Sequence, residues 1–148
     1  MSNEAIGHGG CQCGAIRFRL TAAPARVYCC HCTECRRQSA SAFGISALVA
    51  EGGVELLRGQ PTQWSRATAS GGTMACAFCP ACGSRLWHRA GDVISVKGGA
   101  LDETPEPSAH IWLHSKMPWV VIPEGVDQWQ REPGDDFFTP APAAPHRT

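Results

Sequence analysis

Nine cysteines in 148 residues is far above ordinary usage, and an odd number cannot pair off completely within one chain. Their spacing points to metal ligation. Cys11-Gln12-Cys13 and Cys79-Pro80-Ala81-Cys82 make the first constellation. A structural zinc wants four thiolate or imidazole ligands at tetrahedral corners. A Cys-x-x-Cys turn offers two; Pro80 stiffens it, and Gly83 supplies the left-handed conformation such a knuckle needs. The Cys11–Cys13 pair converges if its backbone bends at Gly9-Gly10 and Gly14. Cys11, Cys13, Cys79 and Cys82 are therefore assigned to a structural zinc. A redox Cys-x-x-Cys, or a set of buried thiols, is the plainer reading and leaves the neighbouring pair unexplained. Structural zinc contributes roughly 10–16 kcal/mol, more than closing the long intervening loop requires.

Cys29-Cys30-His31-Cys32-Thr33-Glu34-Cys35-Arg36-Arg37 is the densest cysteine segment. Cys30, Cys32 and Cys35 can surround one ion, the last at a helix start where backbone N–H groups favour thiolate. Cys29 faces the other way on a strand and reads as a buried small residue. Three protein ligands with a vacant position is the pattern of a reactive zinc. Zinc with three thiolates carries net negative charge, so it activates water poorly but accepts another soft ligand, an incoming thiol. That favours thiol–aldehyde chemistry over hydrolysis. A closed site completed by His31, Cys76 or His88 is the alternative. The expected cofactor is thus two zincs per chain, the second exchangeable.

Among other polar residues, His31 is expected to be an outward-facing spacer, and His110 to touch the cleft or pack nearby. Arg36, Arg37 and Lys116 are candidates to receive carboxylates by charge-assisted hydrogen bonds, against the simpler reading of solvated surface charge. The five tryptophans read as core or cleft wall, and Asp102 as a turn residue.

The elements that must position these groups are short. Residues 1–10 read as a flexible lead-in. Ala15–Leu20 alternates apolar and basic residues, the period of a half-buried strand. Val27-Tyr28 starts a strand running into Cys29 and Cys30, and Thr33 caps a helix over Glu34–Ala40. Strands follow at 43–49, 54–58, 62–68, 73–78, 85–89, 93–97, 110–113 and 119–122, separated by glycine and proline turns. The rhythm predicts an antiparallel, mainly β domain over residues 1–131. Residues 132–148 form a Pro/Ala-rich tail that reads equally as plain disorder or as a segment in which Phe137 and Phe138 dock on the domain or a second subunit.

The chain length suits one core. Formal net charge is zero, from 13 basic and 13 acidic side chains, which provides little attraction for phosphate backbones and argues against nucleic acid as partner. No apolar run matches a membrane span, and no basic-then-apolar leader is apparent. The expected setting is the reducing cytoplasm, where thiols stay free for metal.

Together these residues resemble the glutathione-dependent formaldehyde-activating family, which also includes centromere protein V. The resemblance spans roughly residues 7–130. It rests on Gly-Gly-Cys-Gln-Cys-Gly at 9–14, Cys-His-Cys-Thr-Glu-Cys-Arg at 30–36 and Phe-Cys-Pro-Ala-Cys-Gly-Ser at 78–84. Val-Lys-Gly-Gly-Ala-Leu-Asp at 96–102 and the segment from His110 to Trp119 add to it. It implies a β-tent-like fold of antiparallel sheets with a zinc knuckle, shared with a Rab-accessory family. It also implies zinc at Cys11, Cys13, Cys79 and Cys82 and a second at Cys30, Cys32 and Cys35. The implied activity is a carbon–sulfur lyase joining glutathione to formaldehyde, with glutathione engaging the second zinc. Relatives commonly carry a basic residue near position 76, where this chain has Cys76, which puts glutathione specificity in question. A non-catalytic zinc-stabilised binding module is the second functional reading.

Overall fold

The computed structural model describes residues 6–68 and 71–139. Within them the chain is mainly β. A three-stranded sheet runs β1 (Gly7–Gly10), β2 (Arg17–Leu20), β5 (Val54–Arg58). An eight-stranded sheet contains β3 (Arg26–Cys30), β4 (Gly44–Ala50), β6 (Thr62–Ala67), β7 (Thr73–Phe78), β8 (Arg85–Ala90), β9 (Val93–Lys97), β10 (Ala109–Ile111) and β11 (Asp127–Gln128). Its spatial order is β11-β10-β3-β4-β9-β8-β7-β6. The helices are α1 (Thr33–Ser39) and α2 (Asp135–Phe138).

Pairing is antiparallel except where β10 meets β3 and β11, both parallel. Sequence rhythm anticipated antiparallel strands throughout. A hairpin turn dictates antiparallel neighbours, whereas β10 arrives beside β3 by a long connection that turn signals do not reveal. Three further expectations change. The lead-in is partly β1, because Gly7–Gly10 pairs with Arg17–Leu20. Residues 119–122 form no strand; the segment is a loop exposing Trp119 and Val121. Ala15 and Ile16 belong to the turn before β2 rather than to the strand.

Strand alternation divides the large sheet's faces. Ala47, Val49, Ile94, Val96, Ala77 and Trp87 face the small sheet and meet Ile16, Phe18 and Leu20 in the main core. Phe18 and Trp87 pack edge to face at 5.3 Å. Burying an apolar side chain of this size contributes about 1.5–3 kcal/mol. The opposite face carries Tyr28, Cys30 and Leu48, packed with Ala109, Ile111 and Phe137 in a second cluster. Phe137 docks on this domain: its ring lies 5.2 Å from Tyr28 and 5.0 Å from Trp129, with the Arg26 guanidinium 4.1 Å above it. The Pro/Ala-rich residues 140–148 lie outside the described ones.

Candidate metal centres

Two similar turns build the first cluster. In the β1–β2 turn, the Cys11 N–H bonds to the Ile16 carbonyl and the Ile16 N–H to Cys11 Sγ, both at 3.2 Å. In the β7–β8 turn, the Cys79 N–H bonds to the Ser84 carbonyl and the Gly83 N–H to the Cys79 carbonyl, at 2.9 and 2.8 Å. Gly14 and Gly83 follow the second cysteine of each pair with φ of +83°, a conformation in which a Cβ would clash with the following backbone. The Gln12 N–H donates to Ser84 Oγ at 3.0 Å and locks the turns together.

The result is four sulfurs within 4.8 Å of one another. Cys11 Sγ lies 3.6 Å from Cys13 Sγ, which lies 3.8 Å from Cys79 Sγ. Sulfurs at tetrahedral corners about 2.3 Å from zinc stand roughly 3.8 Å apart. A disulfide needs about 2.05 Å, and all nine cysteines are free. The donor set and spacing fit a tetrahedral metal. Ser84 holds the Cys82 thiol down at about 5, its hydroxyl 3.2 Å from the sulfur, which favours the ligating form.

Cys30, Cys32 and Cys35 form the second cluster, again with sulfurs within 4.8 Å of one another. Cys30 ends β3, Cys32 precedes α1 and Cys35 lies in its first turn. Cys32, not Thr33, caps the helix: its sulfur accepts the Cys35 N–H at 3.4 Å. The neighbouring Cys30 and Cys35 sulfurs, joined by that backbone N–H, pull the Cys32 thiol down to about 2, while the same crowding pushes Cys30 up. Three sulfurs converging on one point suit a soft cation. Among the described residues no fourth ligand joins them, so His31, Cys76 and His88 do not close this site. Both clusters could hold metal ions, one with four donors and one with three.

His31 is not an outward spacer. It is fully buried, its Nε2 2.9 Å from His110 Nδ1, its ring stacked on that of His110 and tilted 45° to Phe43. Strand alternation sends its side chain opposite Cys30 and Cys32, into the protein, where the parallel β10 supplies the partner. Cys29 is buried outside both clusters, as its alternation implies. Cys76 is fully buried opposite His88 on β8. Asp102 does more than turn the chain: both its oxygens accept from Arg17, at 3.0 and 2.6 Å. Lys116 is occupied by the carbonyls of Met117 and Val120, whereas Arg36 and Arg37 line a groove with Met117 and Trp119.

A cavity of about 510 Å3 runs from the first cluster to the C-terminal end of α1. Cys11 and Ser84 bound it on one side, Gln38 and Gly44 on the other, with Arg85 and Lys97 on its wall. Gln38 holds both side-chain amide atoms buried without a protein partner. Sequence reading gave no role to Lys97, Arg85 or Gln38. The available signal was that Ser95 and Lys97 alternate with core residues on β9, placing a cation on a covered sheet face.

Fold and donor sets define a small β-domain with one four-cysteine and one three-cysteine centre. The family of the glutathione-dependent formaldehyde-activating enzyme matches residues 6–115, and the chain belongs to it. A Halomonas elongata protein named "Putative glutathione-dependent formaldehyde-activating enzyme" is 29% identical over 124 residues, covering 77% of this chain and 79% of its own. A Rhodobacter sphaeroides protein of known crystal structure shares the fold, with a TM-score of 0.52 at 22% identity, over 82% of this chain and 98% of that one.

Proposed function

We propose that the chain is a zinc-dependent carbon–sulfur lyase acting on a thiol–aldehyde adduct, with glutathione as thiol and formaldehyde as aldehyde. The observation that carries this reading is the inequality of the clusters in a member of this family: four sulfurs in one, three in the other. Cys11, Cys13, Cys79 and Cys82 hold the fold; Cys30, Cys32 and Cys35 form the reactive centre. In the forward direction the thiol sulfur bonds to the carbonyl carbon, the carbonyl π bond breaks, and the thiol proton ends on the new hydroxyl oxygen. The reverse step returns thiol and aldehyde.

Zinc bound at the three cysteines supplies a soft acceptor that holds a substrate sulfur in its thiolate form. The remaining work falls to the chain. The α1 N-terminus keeps Cys32 and Cys35 in register, with Cys32 anchored by the Cys35 N–H. The cavity has room for a peptide-sized thiol, and Arg85 on its wall suits a carboxylate. Among the described residues no helix is long and apolar enough to cross a membrane; the cytoplasm, where glutathione is reduced, is the proposed setting. Residues 132–148 are proposed as a tail appended to the catalytic domain of 1–131.

The test is adduct exchange followed by NMR on purified protein with glutathione and formaldehyde. Exchange faster than in buffer supports the reading, and a rate equal to buffer refutes glutathione as substrate. A metal count per chain, taken as glutathione rises, reads the second centre: two falling toward one marks it as exchangeable.

A further inference from the structure

The buried face behind the three-cysteine cluster holds a cation with no carboxylate partner. Lys97 ends β9 and stands opposite Ser46 on β4, donating to its hydroxyl at 3.1 Å. Two residues before Ser46, on the same face, Gly44 pairs with Cys30. A Cβ on Gly44 would meet Cys35 Cβ at 3.4 Å, so Cys30, Cys35 and Lys97 surround one stretch of β4. Lys97 is only 9% exposed, and among the described residues every ion pair lies elsewhere. Burial lowers the pKa of its ammonium; the charges that most oppose this are those of Cys35 and Cys30, then Cys76. Arg85, on the same cavity wall, is bonded to His88 at 2.8 Å instead.

A lone ammonium is costly to bury unless a negative charge offsets it. Three thiolates around a divalent cation supply that charge, and a fourth thiolate adds to it. We propose that Lys97 is the counter-charge of the three-cysteine centre, a positioning residue that lets this centre accept an anionic thiolate as fourth ligand in preference to a neutral one. The inference rests on the open-centre reading above and assigns its ligand selectivity to one side chain.

The test uses the full chain loaded with cobalt(II), whose visible spectrum reports ligand binding; the four-cysteine centre serves as internal control. Wild type, Lys97→Met and Lys97→Arg are titrated with glutathione and separately with imidazole, and metal affinity is read by chelator competition. Loss of one nearby charge should weaken glutathione binding in Lys97→Met by roughly tenfold or more, leave imidazole within about twofold, and weaken metal at the second centre. Lys97→Arg should restore glutathione binding, since it retains the charge.

Unchanged glutathione binding in Lys97→Met overturns the proposal. So does equal weakening of both ligands, which marks a merely structural role. If the wild-type spectrum answers neither ligand, the open-centre reading fails by itself. Lys97 is then judged by metal competition: weaker metal in Lys97→Met upholds the counter-charge, and equal affinity overturns it.

Discussion

Removing one sulfur from each cluster should have opposite consequences. Cys79→Ala takes a fully buried ligand from the four-cysteine cluster. That cluster joins Cys13 to Cys79 across 66 residues and ties the small sheet to the large one. Structural zinc is worth roughly 10–16 kcal/mol, as much as the whole stability of a domain at about 5–15 kcal/mol. Forfeiting even half of it should leave the chain unfolded or molten. Cys35→Ala differs because Cys30 and Cys35 lie close along the chain. Relative to the 66-residue span, closing their loop saves the unfolded chain only a few residues of freedom, a difference of roughly 2 kcal/mol. With the packing lost at a half-buried side chain, the expected cost is about 1–2 kcal/mol. At about 3 °C per kcal/mol for a chain of this size, the melting temperature should fall by about 3–6 °C. Circular dichroism melts and metal analysis give the readout: Cys35→Ala folded with one metal per chain, Cys79→Ala without a cooperative transition. A folded, fully cooperative Cys79→Ala, or a Cys35→Ala that unfolds as readily, would refute the division into sealed and open centres.

Other perturbations reach different parts of the structure. Gly44→Ala places a Cβ 2.9 Å from Gln38 Nε2 and 3.4 Å from Cys35 Cβ; crowding of about 1–2 kcal/mol should weaken metal at the three-cysteine centre alone, measured by competition with a chelator. Phe137→Ala empties a site walled by Tyr28, Trp129 and Phe138 and should cost about 3 kcal/mol in urea unfolding; a change near zero contradicts docking of α2. His88 is pushed down to about 2 by burial, then by Lys97 and Arg85. Its pKa is lower folded than unfolded, so its contribution is complete above about pH 6.5 and lost as pH falls. Between pH 6.5 and 5 wild type should lose about 2 kcal/mol more than His88→Gln, by urea midpoints at each pH; equal losses argue against a buried neutral imidazole.

How much was legible follows from how far each signal reaches along the chain. The Cys-x-x-Cys turn specifies its own geometry: Gly83 takes the expected positive φ, and Gly14, expected only to bend the chain, takes the same value. Alternation over Ala15–Leu20 marked Ile16, Phe18 and Leu20, which all reach the core, and α1 began within a residue of expectation. The parallel pairing of β10 was hidden, since no local turn encodes it. With β10 hidden, the burial of His31 was hidden too, because His110 is its partner. Trp119 and Val121 looked like strand residues by propensity, yet among the described residues no strand pairs with them. Propensity describes a pleated, half-buried surface that the rest of the fold must supply.

The sequence alone determined which atoms were available for metal and how they divide, because donor chemistry and short spacings are properties of the chain itself. Tertiary structure alone decided that no described side chain completes the three-cysteine centre, that His31 is buried against His110, and that Lys97 is buried on the same stretch of sheet. Those are facts of distance between remote residues. They exist only once the two sheets have packed, because packing brings the strands bearing these groups side by side.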